Sequence, residues 1–198
     1  MPRLVIATTN EGKVREIRAL LDGADVELVG LDRWPAIAPP DETGRTFEEN
    51  ARLKALYYAD ATRELVVADD SGLEIDALGG VPGVESARYG GPDTTYPQKF
   101  AMISAAMRAA KTADRTARFV CAVALARRGE VLFETRASVE GQIASEPRGS
   151  NGFGYDPIFW YPPYGATLAE VDASRKAAVS HRGQAFRALK DFLSLRFA

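Results

Sequence analysis

Apolar residues along this chain recur with two different periods, and the alternation between them outlines the fold. Residues 3–7 (RLVIA) form a short β-prone run, and a polar turn, TTNEGK, follows at 8–13. Val14, Ile17, Leu20 and Leu21 then share one helical face, and Asp22-Gly23 stops the helix. Residues 26–31 suit a second strand, while 34–46, rich in proline and acid, suit a loop. Thr46-x-x-Glu49 is a capping-box signature, so a helix is expected over 47–62. Residues 65–68 read as a buried strand that the turn-forming Asp69-Asp70-Ser71-Gly72 should end. Beyond it come a glycine- and proline-punctuated loop (79–91) and a helix (94–110). Residues 119–126 and 131–139 suit two antiparallel strands joined at Arg128-Gly129. A glycine-rich loop at 149–156, a strand at 157–161 and helices near 168–171 and 183–195 complete the pattern. Strands mixed with helices indicate an α/β fold with a mixed sheet. No repeat or flexible linker interrupts it, so residues 1–198 are expected to form one domain or two intimate lobes.

Composition narrows the function classes more than the fold. The 25 basic and 27 acidic residues give a net charge of -2. No basic run is present, which argues against a nucleic-acid face and requires any phosphate site to be local. No apolar stretch approaches the roughly 20 residues needed to span a bilayer, and residues 1–7 are too short for a signal peptide. Cys121 is the only cysteine and reads as core. A soluble cytoplasmic protein is expected, with neither nucleic acid nor membrane as partner.

Four segments carry candidate chemistry. In TTNEGK a strand opens through a polar turn into a helix, whose unpaired first amides and positive dipole end suit phosphate. Thr8, Thr9 and Asn10 can add hydrogen bonds and Lys13 a charge, although a plain capped helix has the same pattern. The spacing is not that of a Walker loop. Asp69 and Asp70 follow an apolar strand, where ligands gather in α/β sheets. Their side chains should point to opposite faces, so only one is expected to reach a given metal. A simple strand-ending turn has the same composition. In GSNGFGYD (149–156), glycines allow close backbone approach, Phe153 can stack on a flat base and Asp156 can accept from a ring N–H. Finally, Lys176 and Ser180-His181-Arg182-Gly183 offer donors suited to a carbonyl on a base. His181 is the only histidine, which excludes a multi-histidine metal site.

Taken together, TTNEGKVREI, TFEENARLKA, ADDSGLEIDALGGVPGVESARYGG, NGFGYDPIF and SHRGQAFRAL resemble the inosine triphosphate pyrophosphatase family, also called Ham1-like or RdgB-type, over nearly the whole chain. The resemblance implies an elongated mixed-sheet α/β body with flanking helices, two lobes around a central cleft, and a homodimer. It implies hydrolysis of ITP, dITP and XTP between the α and β phosphates, with Mg²⁺ as cofactor. Thr8, Thr9, Asn10, Glu11, Gly12 and Lys13 would hold the triphosphate, and Lys54 would add charge. Glu42 and Asp70 would bind the metal, Asp70 would also be the catalytic base, and Ser71 would bind beside it. Phe153, Gly154, Tyr155 and Asp156 would receive the base, with Lys176, His181 and Arg182 completing the site. Thr9, Asp69 and Ser174-Arg175 depart from the commoner family residues. A Maf-like nucleotide pyrophosphatase with another base preference and a non-catalytic nucleotide sensor are the alternatives.

Overall fold

The computed structural model describes residues 1–197. In chain order its elements are β1 (Arg3–Ile6), α1 (Glu11–Leu20), β2 (Glu27–Gly30), α2 (Phe47–Thr62), β3 (Leu65–Ile75), α3 (Tyr96–Ala109), β4 (Thr116–Arg127), β5 (Glu130–Ile143), β6 (Phe159–Tyr161), β7 (Ala166–Thr167), α4 (Ala173–Val179) and α5 (His181–Phe197), with short 3-10 turns between some of them. The strands form one seven-stranded mixed sheet in the order β2-β1-β3-β4-β5-β6-β7. β1 pairs in parallel with β2 and β3, while β6 pairs antiparallel with both β5 and β7. The fold is the mixed α/β class that the alternation of periods predicts.

The chain divides into two compact units. The first holds Met1–Asp70, Cys121–Ala137 and the chain from His181 onward. Its core packs Leu4 and Ile6 of β1, Leu65 and Val67 of β3, and Cys121, Val123 and Leu125 of β4 with Ile17, Phe186 and Leu189 of the helices. Cys121 is fully buried there, and burial, reinforced by nearby Asp69, pushes its thiol up to about 12, so it is inert as a nucleophile. The second unit holds Ser71–Val120 and Ser138–Ser180. Its core gathers Leu73, Ile75, Ile103, Ile158 and Leu168 around Phe119 and Phe159, whose rings stack at 4.3 Å.

Two sequence expectations are corrected. Asp69-Asp70-Ser71-Gly72 does not end a strand; β3 runs straight through it to Ile75. Gly72 is required for close approach, because a Cβ there would lie 2.4 Å from Ser86 Oγ and 2.5 Å from the Gly83 carbonyl. The turn that crowds it is fixed: Leu73 N–H donates to Ser86 Oγ (2.9 Å), which donates to the Gly83 carbonyl (2.6 Å). Gly72→Ala is therefore expected to cost about 1–3 kcal/mol by overpacking, read as a lower urea midpoint at unchanged slope. An unchanged midpoint would remove this reason for the glycine.

The second correction concerns residues 168–171, which form a turn and not a helix. Leu168, Ala169 and Val171 are buried around the exposed Glu170. Their carbonyls at 169 and 171 accept from the backbone and side chain of Asn151. The helices in this region start later. Asp172 caps α4 by accepting from Arg175 N–H (2.8 Å), and α5 opens at His181, two residues before the expected start.

Candidate active site

The first unit brings together two linked sets of charges, one on each face of β3. Because successive strand side chains alternate, Asp69 and Asp70 serve different sets, as their adjacency predicts.

On one face, Asp69 is fully buried. Its Oδ2 accepts from Lys13 Nζ at 3.0 Å and from Arg182 Nη2 at 3.1 Å. Nη1 of Arg182 donates to Glu16 of α1 at 2.8 Å. Burial alone would raise the proton affinity of Asp69, but Lys13 and Arg182 outweigh it and hold the carboxyl well below the usual range. Burial would likewise lower Arg182, and Asp69 and Glu16 reverse that. Lys13 reaches this set from the first turn of α1. Asn10 caps that helix, its Oδ1 accepting from Lys13 N–H at 3.0 Å, and Thr8 Oγ1 accepts from Asn10 N–H at 3.2 Å. Gly12 is buried beneath the turn, while Thr9, Asn10 and Glu11 are exposed on it.

On the other face, Lys54 Nζ donates to Glu42 Oε1 (2.6 Å) and to Asp70 Oδ1 (3.0 Å). Asn50, fully buried, donates through Nδ2 to Asp70 Oδ2 at 3.2 Å, and its Oδ1 accepts from Gly44 N–H at 2.8 Å. One side chain thus fastens the Glu42 loop to Asp70. Burial raises the proton affinity of Asp70; Lys54 and Lys13 oppose this, and Glu42 adds to it, with a net upward shift. Lys54 loses affinity through burial but regains more from Asp70, Asp69 and Glu42, so it stays charged. Two carboxylates converging on one ammonium form a site that favours positive charge and offers hard oxygen donors. That donor set fits Mg²⁺, which takes one or two carboxylates and completes its shell with water and phosphate oxygens. Among the described residues no larger His, Cys, Asp or Glu group is placed to hold a metal.

Asn50, Lys54 and Glu16 differ in how visible they are beforehand. Asn50 and Lys54 sit on the buried stripe of α2 with Phe47, Ala51, Ala55 and Tyr58, so polar residues on an apolar face were the signal for both. Nothing local marks Glu16, whose partner is 166 residues away. The capping box is half as expected: Glu49 N–H donates to Thr46 Oγ1, but the Glu49 carboxylate accepts from Arg45 N–H.

The second unit assembles the glycine-rich loop with α4. Lys176 Nζ donates to the buried carboxylate of Asp156 and lies 4.8 Å from the centre of the Phe153 ring. Phe153 N–H donates to the same carboxylate oxygen at 2.8 Å. Gly152 adopts φ +71°, and a Cβ there would lie 2.2 Å from Asp156 Oδ2, so only glycine admits this turn. Tyr155 is buried, and its hydroxyl donates to the Ser86 carbonyl at 2.8 Å. Gly154 lies beside Tyr96. The unit therefore presents a half-buried aromatic face beside a neutralised carboxylate, a pairing that suits a flat heterocycle with ring N–H groups. Ser71 opens this unit on β3, half-buried, while His181 is buried at the start of α5 in the first unit.

Comparison with known proteins agrees with the sequence resemblance. The model of the Ham1 family matches residues 4–192. A dITP/XTP pyrophosphatase of Geobacter sulfurreducens is 45% identical, over 98% of this chain and 97% of its own. One from Gloeobacter violaceus is 51% identical over 94% and 91%. Among solved structures, a HAM1 protein from Coxiella burnetii superposes with a TM-score of 0.90 at 40% identity, covering 98% of this chain and 99% of that one. A nucleoside-triphosphatase / dITP/XTP pyrophosphatase from Mycobacterium abscessus gives 0.76 at 40% identity, over 94% and 98%. With the family model spanning almost the whole chain and relatives matched nearly end to end, this chain belongs to the Ham1 family.

Proposed function

We propose that the chain is a Mg²⁺-dependent pyrophosphohydrolase of noncanonical 6-oxopurine nucleoside triphosphates, acting on ITP, dITP and XTP to release a nucleoside monophosphate and pyrophosphate. The observation that carries the reading is the pair of carboxylates, Glu42 and Asp70, converging on the Lys54 ammonium, with Lys13 held on the opposite face of the same strand.

In this reading Lys13 and Lys54, with Thr8, Thr9, Asn10, Glu11 and Gly12 at the start of α1, hold the triphosphate. A triphosphate brings about four negative charges, and positive groups that offset them stabilise an in-line displacement. Glu42 and Asp70 would hold Mg²⁺, which supplies charge neutralisation to the phosphates and acidifies water. Asp70 accepts the proton of the water that attacks the α-phosphorus. Asn50 keeps that carboxylate oriented, and Ser71 binds beside it.

Phe153, Gly154, Tyr155 and Asp156 receive the base, with Lys176 keeping Asp156 neutralised. His181 and Arg182 donate to the 6-oxo group, Arg182 from a guanidinium oriented by Glu16 and Asp69. Donors facing the amino group of adenine would stay unpaired, at about 1–3 kcal/mol each. The relatives named dITP/XTP pyrophosphatase support the substrate class. The homodimer and the cytoplasmic location belong to the same proposal. Among the described residues no helix is long and apolar enough to cross a membrane.

The test is product analysis with ITP. Orthophosphate should be detected only after inorganic pyrophosphatase is added, and chelation by EDTA should abolish turnover until Mg²⁺ is restored. Direct release of orthophosphate, or turnover that survives chelation, would refute the reading.

A further inference from the structure

Lys99, in the second turn of α3, is 3% exposed, yet no carboxylate among the described residues pairs with it. Its Nζ donates to the Ala87 carbonyl at 2.6 Å and lies 5.0 Å from the centre of the Tyr96 ring, one turn earlier on the same helix. A buried ammonium compensated by one carbonyl and one ring is costly beside an apolar side chain of similar length. Its neighbours indicate what it accomplishes. The Ala87 carbonyl follows the Ser86 carbonyl, which accepts from the Tyr155 hydroxyl. The ring of Tyr155 packs edge-on against Tyr96 at 5.3 Å and 89°. Two consecutive carbonyls of one loop are thus held by Lys99 and Tyr155, and Tyr96 bridges those two side chains. Tyr96 also stands next to Gly154, and Asp156 acts on its hydroxyl electrostatically.

We infer that Lys99 is a positioning residue for base recognition: with Tyr96 it braces Tyr155 against the Ser86–Ala87 carbonyls and so fixes the Phe153–Asp156 loop in the shape that receives the purine. The inference rests on the reading that this loop holds the base. Lys99 touches neither Phe153 nor Asp156 directly; it acts through Tyr96, the carbonyl pair and Tyr155. A loop that must be ordered on binding weakens ground-state and transition-state binding alike, so the loss falls on KM.

The experiment compares Lys99→Met with Tyr155→Phe, measuring kcat and KM for ITP and ATP together with the Tm. Lys99→Met keeps the aliphatic stem and removes the buried charge. It should raise KM for ITP about tenfold, in line with coupling between contacting groups. Its kcat should stay within about twofold, kcat/KM for ATP should change little, and the Tm should be no lower than in the parent. Tyr155→Phe, which loses only the hydroxyl, should move KM the same way. An unchanged KM in both variants, or a parallel fall of kcat and Tm in both, overturns the inference and makes Lys99 a structural residue. Phe153→Ala serves as the control for the underlying reading. If it leaves KM for ITP unchanged, the base is held elsewhere and that reading fails, whereas a raised KM there beside an unchanged KM in Lys99→Met overturns the positioning role alone.

Discussion

Asp70→Asn is expected to lower turnover of ITP by about 10²–10⁴-fold, the range for loss of a general base, while the protein stays folded with a Tm no lower than the parent. The two halves of this expectation come from the same geometry. Asp70 is buried beside Glu42, and burial first, then Glu42, lifts its proton affinity against the opposing pull of Lys54 and Lys13. A carboxyl whose folded pKa is raised carries a cost when ionised, so replacing it with a neutral isostere relieves that cost at neutral pH. Lys54 keeps its 2.6 Å partner Glu42 in the variant. Kinetics with saturating Mg²⁺, paired with a thermal scan, check both halves. Near-normal turnover would remove Asp70 from the mechanism, and a collapsed Tm would make it a structural group.

Its neighbour should behave in the opposite way. Asp69→Asn is expected to cost about 3–5 kcal/mol, because it leaves the buried Arg182 guanidinium and the Lys13 ammonium without their shared counter-charge. For a chain of this size that corresponds to a Tm lower by roughly 6–20 °C. The pH dependence follows from the direction of the shift. Asp69 is held below its ordinary value, so the unfolded chain takes up the proton first. Its contribution is fully present above the unfolded value, about pH 4, and is lost as the pH falls below that. The stability gap between parent and variant should therefore be constant near neutrality and close in acid, as measured by urea unfolding from pH 7 to pH 3. A gap that is absent at pH 7, or that widens in acid, would contradict the ion-pair account.

The contrast between these adjacent aspartates shows what sequence can and cannot convey. The two-residue period of a strand was enough to place them on opposite faces. The same residue types also describe a turn, and that reading misled, because Gly72 is a glycine of close approach within a strand and not of chain reversal. The helix expected at 168–171 failed for a related reason. Leu168 and Val171, buried and three residues apart, imitate a helical face, and only the long-range bonds from Asn151 show that the segment is a turn. Asn50 was legible in principle as a polar residue on the apolar stripe of α2. The Glu16–Arg182 pair was not, since pairing across 166 residues is set by how α1 and α5 pack and not by local pattern. The candidate site was legible mainly through the joint order of its motifs, and the geometry adds how its charges are shared between two faces of one strand.

The central claim, selective hydrolysis of 6-oxopurine triphosphates, is tested most directly by kcat/KM for ITP, XTP, GTP and ATP under one Mg²⁺ concentration. ITP and XTP should exceed ATP by at least about 10–100-fold, the discrimination available when donor groups meet the wrong exocyclic group, and GTP should also be poor. Equal kcat/KM for ITP and ATP would contradict the account.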